Sequence, residues 1–146
     1  MENTILTVDY AMSLEEMVAA GNYSEVDDIT AKRFPLSGIG KVVFEAKLFH
    51  FGFHLSKREV AERVESEGFN LAKIEHLLAF GAALPEVQRM HPVIALGSVA
   101  KIRGVRCGAR LGSHDSSERY LGSEWLGGEW SRRFHFLGVR EIQPKS

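Results

Sequence analysis

Alternation between apolar and polar positions is clearest from residue 41 to residue 51. Val42, Phe44, Ala46, Leu48 and His50 fall on one side of an extended chain there. Val43, Glu45, Lys47, Phe49 and Phe51 fall on the other. The first side is almost wholly apolar and the second mixed, which predicts a strand in a sheet covered on one face. A shorter strand is expected around Ile5, Leu6 and Val8. Helical periods flank the long strand. Ser13-Leu14-Glu15-Glu16 and Ser56-Lys57-Arg58-Glu59 are capping boxes, in which serine and glutamate side chains satisfy each other's backbone amides. The first helix is expected to stop near Gly21 and the second at Gly68, with Val60, Ala61 and Val64 on one face. Asn70 is read as the cap of a third helix carrying Ile74, Leu77, Leu78 and Gly81, and Pro85 as the start of a further turn.

After His91-Pro92 the period changes. Val93-Ile94-Ala95-Leu96 reads as a short buried strand closed by Gly97-Ser98. Val105, Cys107, Ala109 and Leu111 alternate with Arg106, Gly108 and Arg110 in a half-exposed strand. Phe134 to Val139 forms a last strand. Residues 22–40 and 112–131, rich in glycine and polar residues, read as loops. Helices bunched before the late strands indicate an α+β fold, in one domain spanning residues 1–146.

Composition narrows the class. Apolar residues make up 45% and charged residues 25%, an ordinary globular mix. The net charge of -1 hides an asymmetry. Residues 1–73 hold 8 Lys+Arg against 12 Asp+Glu, whereas residues 74–146 hold 10 against 7, and eight of those ten are arginine. The second half therefore suits an anionic partner better than the first. Cys107 stands alone, so no intrachain disulfide forms. That, a polar start without a basic leader, and the lack of a bilayer-length apolar run set the expectation of a soluble, cytoplasmic protein without membrane contact.

Two stretches carry a resemblance. The run Leu71-Ala72-Lys73-Ile74-Glu75-His76-Leu77-Leu78-Ala79-Phe80-Gly81, with Val93-Ile94-Ala95-Leu96-Gly97-Ser98 after it, resembles a group of bacterial proteins without an assigned activity. The order of parts from residue 41 to residue 141 is distantly similar to the C-type-lectin-like fold. In that fold a strand leads into two helices, a short apolar strand, a long loop and a closing strand that pairs with the first. The resemblance implies a mixed or antiparallel sheet with two or three helices, and pairing of the segment at 41–51 with that at 134–140. The framework cysteines and the calcium- and sugar-holding triplets of the secreted lectins are absent, so calcium-dependent sugar binding is not implied.

Candidate chemistry is sparse. His50 and His54 lie four apart, on one side of a strand, as two metal ligands must. No cysteine or carboxylate joins them at ligand spacing, so His50 is expected to pack in the core, and no metal or cofactor is expected. Cys107 alternates inward with Val105 and Ala109, as an inert thiol does. Gly38-Ile39-Gly40-Lys41 lacks the first glycine and the hydroxyl residue of a phosphate loop. Residues 113–133 hold the richest set, including His114, Asp115, Glu118, Arg119, Tyr120, Trp125, Trp130 and Arg132. Tryptophan and arginine in a glycine-rich loop suit a recognition surface, or else the tryptophans cover a satellite core. The sequence thus reads as a non-catalytic binding module, with Arg119, Tyr120, Trp125, Trp130 and Arg132 facing a protein or small-molecule ligand. One alternative is an enzyme using His50 and His54, or His114 and Asp115. Another is a binder of an anionic partner through the arginine-rich half, although the lack of a named nucleic-acid motif argues against nucleic acid.

Overall fold

The computed structural model describes residues 3–52, 54–115, 117–127 and 133–142. In chain order the elements are β1 (Thr4–Asp9), α1 (Leu14–Ala20), β2 (Glu25–Val26), β3 (Lys41–His50), α2 (Lys57–Ser66), β4 (Asn70–Leu71), α3 (Ile74–Ala83), α4 (Val87–Met90), β5 (Val93–Ile102), β6 (Val105–His114), β7 (Glu118–Trp125) and β8 (His135–Glu141). Both capping boxes form. Ser13 Oγ accepts from the Glu16 amide at 3.1 Å, and Glu16 Oε1 accepts from the Ser13 amide at 2.9 Å. Ser56 and Glu59 repeat the arrangement at the start of α2. Each box satisfies two amides that a helix start leaves without partners. Among the described residues no helix is long and apolar enough to cross a membrane.

The described strands form one mixed sheet in the order β1-β3-β8-β5-β6-β7-β2, with β4 also pairing β8. β3 and β8 run antiparallel over seven pairs from Phe44↔Glu141 to His50↔His135, the pairing expected from the sequence. β5 lies parallel to β8 at Val93↔His135 and Ile94↔Phe136, and β4 takes up the same edge further on, at Gly138 and Val139.

The centre of this sheet is covered on both faces, not on one. Val93 and Ala95 join the cluster of Phe44, Ile74, Leu77, Leu111 and Leu137, beneath α1 and α3. Ile94 and Leu96, pointing the other way, join Phe49, Val60, Val64 and Phe136 beneath α2. Double coverage explains why Val93-Ile94-Ala95-Leu96 is an unbroken apolar run. Within β3 the burial changes face: Phe44 and Ala46 serve the first cluster and Phe49 the second. His50 consequently emerges exposed and is not the core residue expected.

Three further expectations are corrected. Asn70 does not cap α3. It is drawn into β4, because the Ala72 amide donates to the Leu137 carbonyl and the Gly97 amide to the Ala72 carbonyl, and these bonds hold the segment extended. The caps of α3 come from elsewhere: Ser98 Oγ accepts from the Ile74 amide at 2.8 Å, and His76 Nδ1 from the Lys73 amide at 3.0 Å. Gly97-Ser98 does not end β5, which continues through an irregularity to Ile102. A Cβ on Gly97 would press on the Leu71 and Ala72 carbonyls, so glycine permits the close approach at that point. Residues 113–133 are not one long loop. β6 runs to His114, turns through Asp115 at φ 54°, and returns as β7 over eight pairs from His114↔Glu118 to Cys107↔Trp125.

Candidate binding groove

β1 stands at one end of the strand order, where α3 packs against it and α1 packs against α3. The three elements do not close completely. Ala20 on α1 and Ala79, Ala82 and Ala83 on α3 stand where longer side chains would fill the space, leaving a groove of about 430 Å³. Leu6, Val8, Met12, Met17 and Leu78 supply its apolar surface. Protein interiors pack to crystal density with few voids larger than a water. A space of this size, within the range of small-molecule sites, is therefore a feature of the surface and not a packing flaw.

The groove has two acidic wall residues, Asp9 and Glu75, and no lysine, arginine or histidine among its lining residues. Asp9 Oδ1 is engaged by the Ala11 amide at 3.0 Å. Glu75 is 1% exposed. Its Oε2 accepts from the Tyr10 hydroxyl at 2.7 Å and from Ser37 Oγ at 3.2 Å, while Oε1 has no partner of hydrogen-bonding geometry. Burial pushes the Glu75 pKa up. The Tyr10 hydroxyl, its own amide, His76 and the Ser37 amide outweigh that, and the net shift is downward. Glu75 is thus an anion at neutral pH, in the first turn of α3 where the helix dipole also favours it. Burial and the neighbouring Glu75 raise the Tyr10 pKa, so Tyr10 remains a donor.

Behind Glu75 the network continues to the protein surface. Lys73 Nζ donates to Ser37 Oγ at 3.1 Å. The His76 and Phe44 rings meet edge to face with centroids 4.9 Å apart, and burial drives the His76 pKa down to about 4, with Glu75 opposing and Lys73 assisting. Since Nδ1 is the acceptor for the Lys73 amide, a neutral His76 carries its proton on Nε2.

The residues singled out in the sequence fall elsewhere. Arg119 is 5% exposed and cannot face a ligand, which corrects the expectation. Its guanidinium donates to the carbonyls of Gly21 and Gly81 and to Gln88 Oε1, with its plane over the Tyr23 ring. Gly21 caps the C-terminus of α1 and Gly81 lies in the last turn of α3, so Arg119 neutralises the negative ends of two helices. Tyr120 is half-buried, stacked on His114 at 4.7 Å and beneath the Arg110 guanidinium. Trp125 is 56% exposed. Trp130 and Arg132 lie outside the described residues.

His50 stacks on His135, which stacks on His91, with ring centroids 4.3 and 4.2 Å apart. The imidazole faces meet, whereas metal ligands converge through their nitrogens. His54 is exposed. His114 bonds Glu25 at 3.0 Å, and no shared hydrogen bond joins it to Asp115, which sits in the turn. Among the described residues no group of three His, Cys, Asp or Glu is placed to hold a metal ion. Cys107 is buried, and its burial pushes the thiol pKa up.

The groove is not among the expectations drawn from the sequence, yet one signal was present. Glu75, Leu78, Ala79 and Ala82 stand at i, i+3, i+4 and i+7, so a carboxylate and two alanines share the apolar face of α3. Comparison with family models, curated proteins and solved structures gave no significant match.

Proposed function

We infer that the protein is a non-catalytic binding module that takes a small, predominantly apolar ligand in the groove between β1, α1 and α3. The observation that carries this reading is the groove itself: about 430 Å³ of apolar-walled space kept open by alanines on two helices. Its charge selects the ligand. With Asp9 and an ionised Glu75 in the wall and no lining cation, a carboxylate-bearing amphiphile is repelled and a neutral one of the same length is accepted. The test is a titration of the protein with hexanol and, separately, hexanoate, followed by amide chemical shifts. Saturable shifts along β1 and α3 with hexanol, and weaker ones with hexanoate, support the reading. Equal or stronger binding of hexanoate contradicts the charge argument, and shifts without saturation contradict the site.

A second reading rests on Trp125. The exposed indole, with Val105, Leu126, Lys57 and Arg106, borders a depression of about 340 Å³ at the end of the β6–β7 pair. An exposed tryptophan beside two cations has the composition of a protein-recognition anchor. It keeps Trp125, of the residues first chosen, as a contact for a protein partner.

A further inference from the structure

A smaller pocket opens where α4 meets β6 and the segment leading into β8. It encloses about 130 Å³, and its described lining includes Arg89, His91, Arg110, Ser113 and Arg133. These come from three separate parts of the chain: Arg89 from α4 with His91 just after it, Arg110 and Ser113 from β6, and Arg133 from just before β8. The arginine excess of the second half of the sequence is therefore gathered in part at one point. We propose that this pocket binds a tetrahedral oxyanion, namely phosphate or the terminal phosphate of a small molecule.

Two of the guanidiniums differ in how firmly they are held. Arg110 is fixed. It donates to Glu124 at 2.6 Å and lies over the rings of Tyr120 and Phe134, at 5.5 and 5.0 Å from their centroids. A guanidinium held this way presents its remaining donors with little entropy left to lose. Arg89 is held weakly. Its partner is Glu86, at 3.2 Å in an i,i+3 pair with Glu86 72% exposed, and exposed pairs of that kind contribute little. An anion can take Arg89 from Glu86 at small cost. Ser113 Oγ already donates to the Arg89 carbonyl at 3.3 Å, which covers one negative group at the end of α4 that would otherwise oppose an anion. The Nε atoms of both Arg89 and Arg110 are buried without a hydrogen-bond acceptor.

Size and direction decide the ligand. At about 130 Å³ the pocket is well below the size of a drug-sized ligand site and has room for a four-oxygen anion. Donors approach from α4, from β6 and from the entry to β8, which suits a tetrahedron better than a planar carboxylate. This site is separate from the apolar groove, since the two share no lining residue.

The test is titration with inorganic phosphate, ethyl phosphate and acetate, each at fixed ionic strength, read by amide shifts at Arg89, His91 and Ser113. The expected result is saturable binding of phosphate, weaker or no binding of acetate, and a loss of affinity of about tenfold or more in Arg89→Gln. Tighter binding of ethyl phosphate than of phosphate identifies a phosphorylated small molecule as the natural form, and the reverse identifies free phosphate. Arg58→Gln, an exposed arginine on α2, serves as the charge control and should leave the affinity unchanged. The variants' unfolding midpoints show that each remains folded. Shifts that do not saturate, acetate bound as tightly as phosphate, or equal weakening in Arg58→Gln and Arg89→Gln each overturn the proposal.

Discussion

The hydroxyl of Tyr10 donates to Oε2 of Glu75 at 2.7 Å, joining the end of the first strand to the first turn of α3. The bond keeps a buried carboxylate ionised beside an apolar groove and gives that groove its negative wall. Tyr10→Phe removes one charge-assisted hydrogen bond and should lower stability by about 1.5–3 kcal/mol at neutral pH. Glu75 titrates below its ordinary value in the fold. The stability it contributes is present above that ordinary value of 4.5 and is lost as pH falls through the lower folded value. The cost of Tyr10→Phe should therefore shrink in acid. Urea unfolding of both proteins at neutral and acid pH measures it, and a cost that is constant with pH contradicts the role given to Glu75.

His76 makes a second pH-dependent contribution, in a different window. Its folded pKa, about 4, lies below the ordinary 6.5, so the unfolded chain takes up the proton first as the solution is acidified. Stability should fall between these two values, with His76 supplying up to about 1.4 kcal/mol per pH unit. His135, also depressed to about 4, adds to the same slope, less so because it is partly exposed. His76→Gln retains an acceptor for the Lys73 amide and does not titrate. It should flatten the dependence measured by unfolding at several pH values, and an unchanged slope rules His76 out as its source.

Arg119→Ala should be among the most damaging single substitutions, at about 3–5 kcal/mol. It uncovers the Gly21 and Gly81 carbonyls, removes a partner of Gln88 and leaves Tyr23 without its cation. Denaturant unfolding checks this. A loss below about 1 kcal/mol would show that the two helix ends are satisfied in some other way.

Trp125→Ala should behave oppositely. Its indole is more than half exposed, and removing it should change stability by no more than about 0.5 kcal/mol. A thermal melt showing a large drop in midpoint would place the indole in a satellite core and end its reading as a partner contact.

Local rules in the sequence determined much of this fold. Both capping boxes, the period of α2 and the alternation of β3 depend on neighbours within a few positions, and those elements formed as expected. Where long-range contacts decided the outcome, the sequence misled. Asn70 has the composition of a cap, but backbone bonds to Leu137 and Gly97 placed Asn70–Leu71 in the sheet and left Ser98 to cap α3. β7 was hidden because Arg119 occupies an inward position beside Leu121, and a buried arginine breaks the apolar alternation by which a strand is recognised. The groove was hidden for a related reason. Alanines read as good helix formers, and the space they leave appears only when α3 is laid against β1.

The most direct test of the groove is to fill it. Ala79→Leu places a larger side chain on the wall that α3 contributes, in open space, so it should leave stability within about 1 kcal/mol of the parent. Titration of parent and variant with hexanol, followed by the amide shifts of β1 and α3, compares their affinities. Saturable binding to the parent and a loss of about tenfold or more in the folded variant are expected. Equal affinity in the two proteins would contradict binding in the groove.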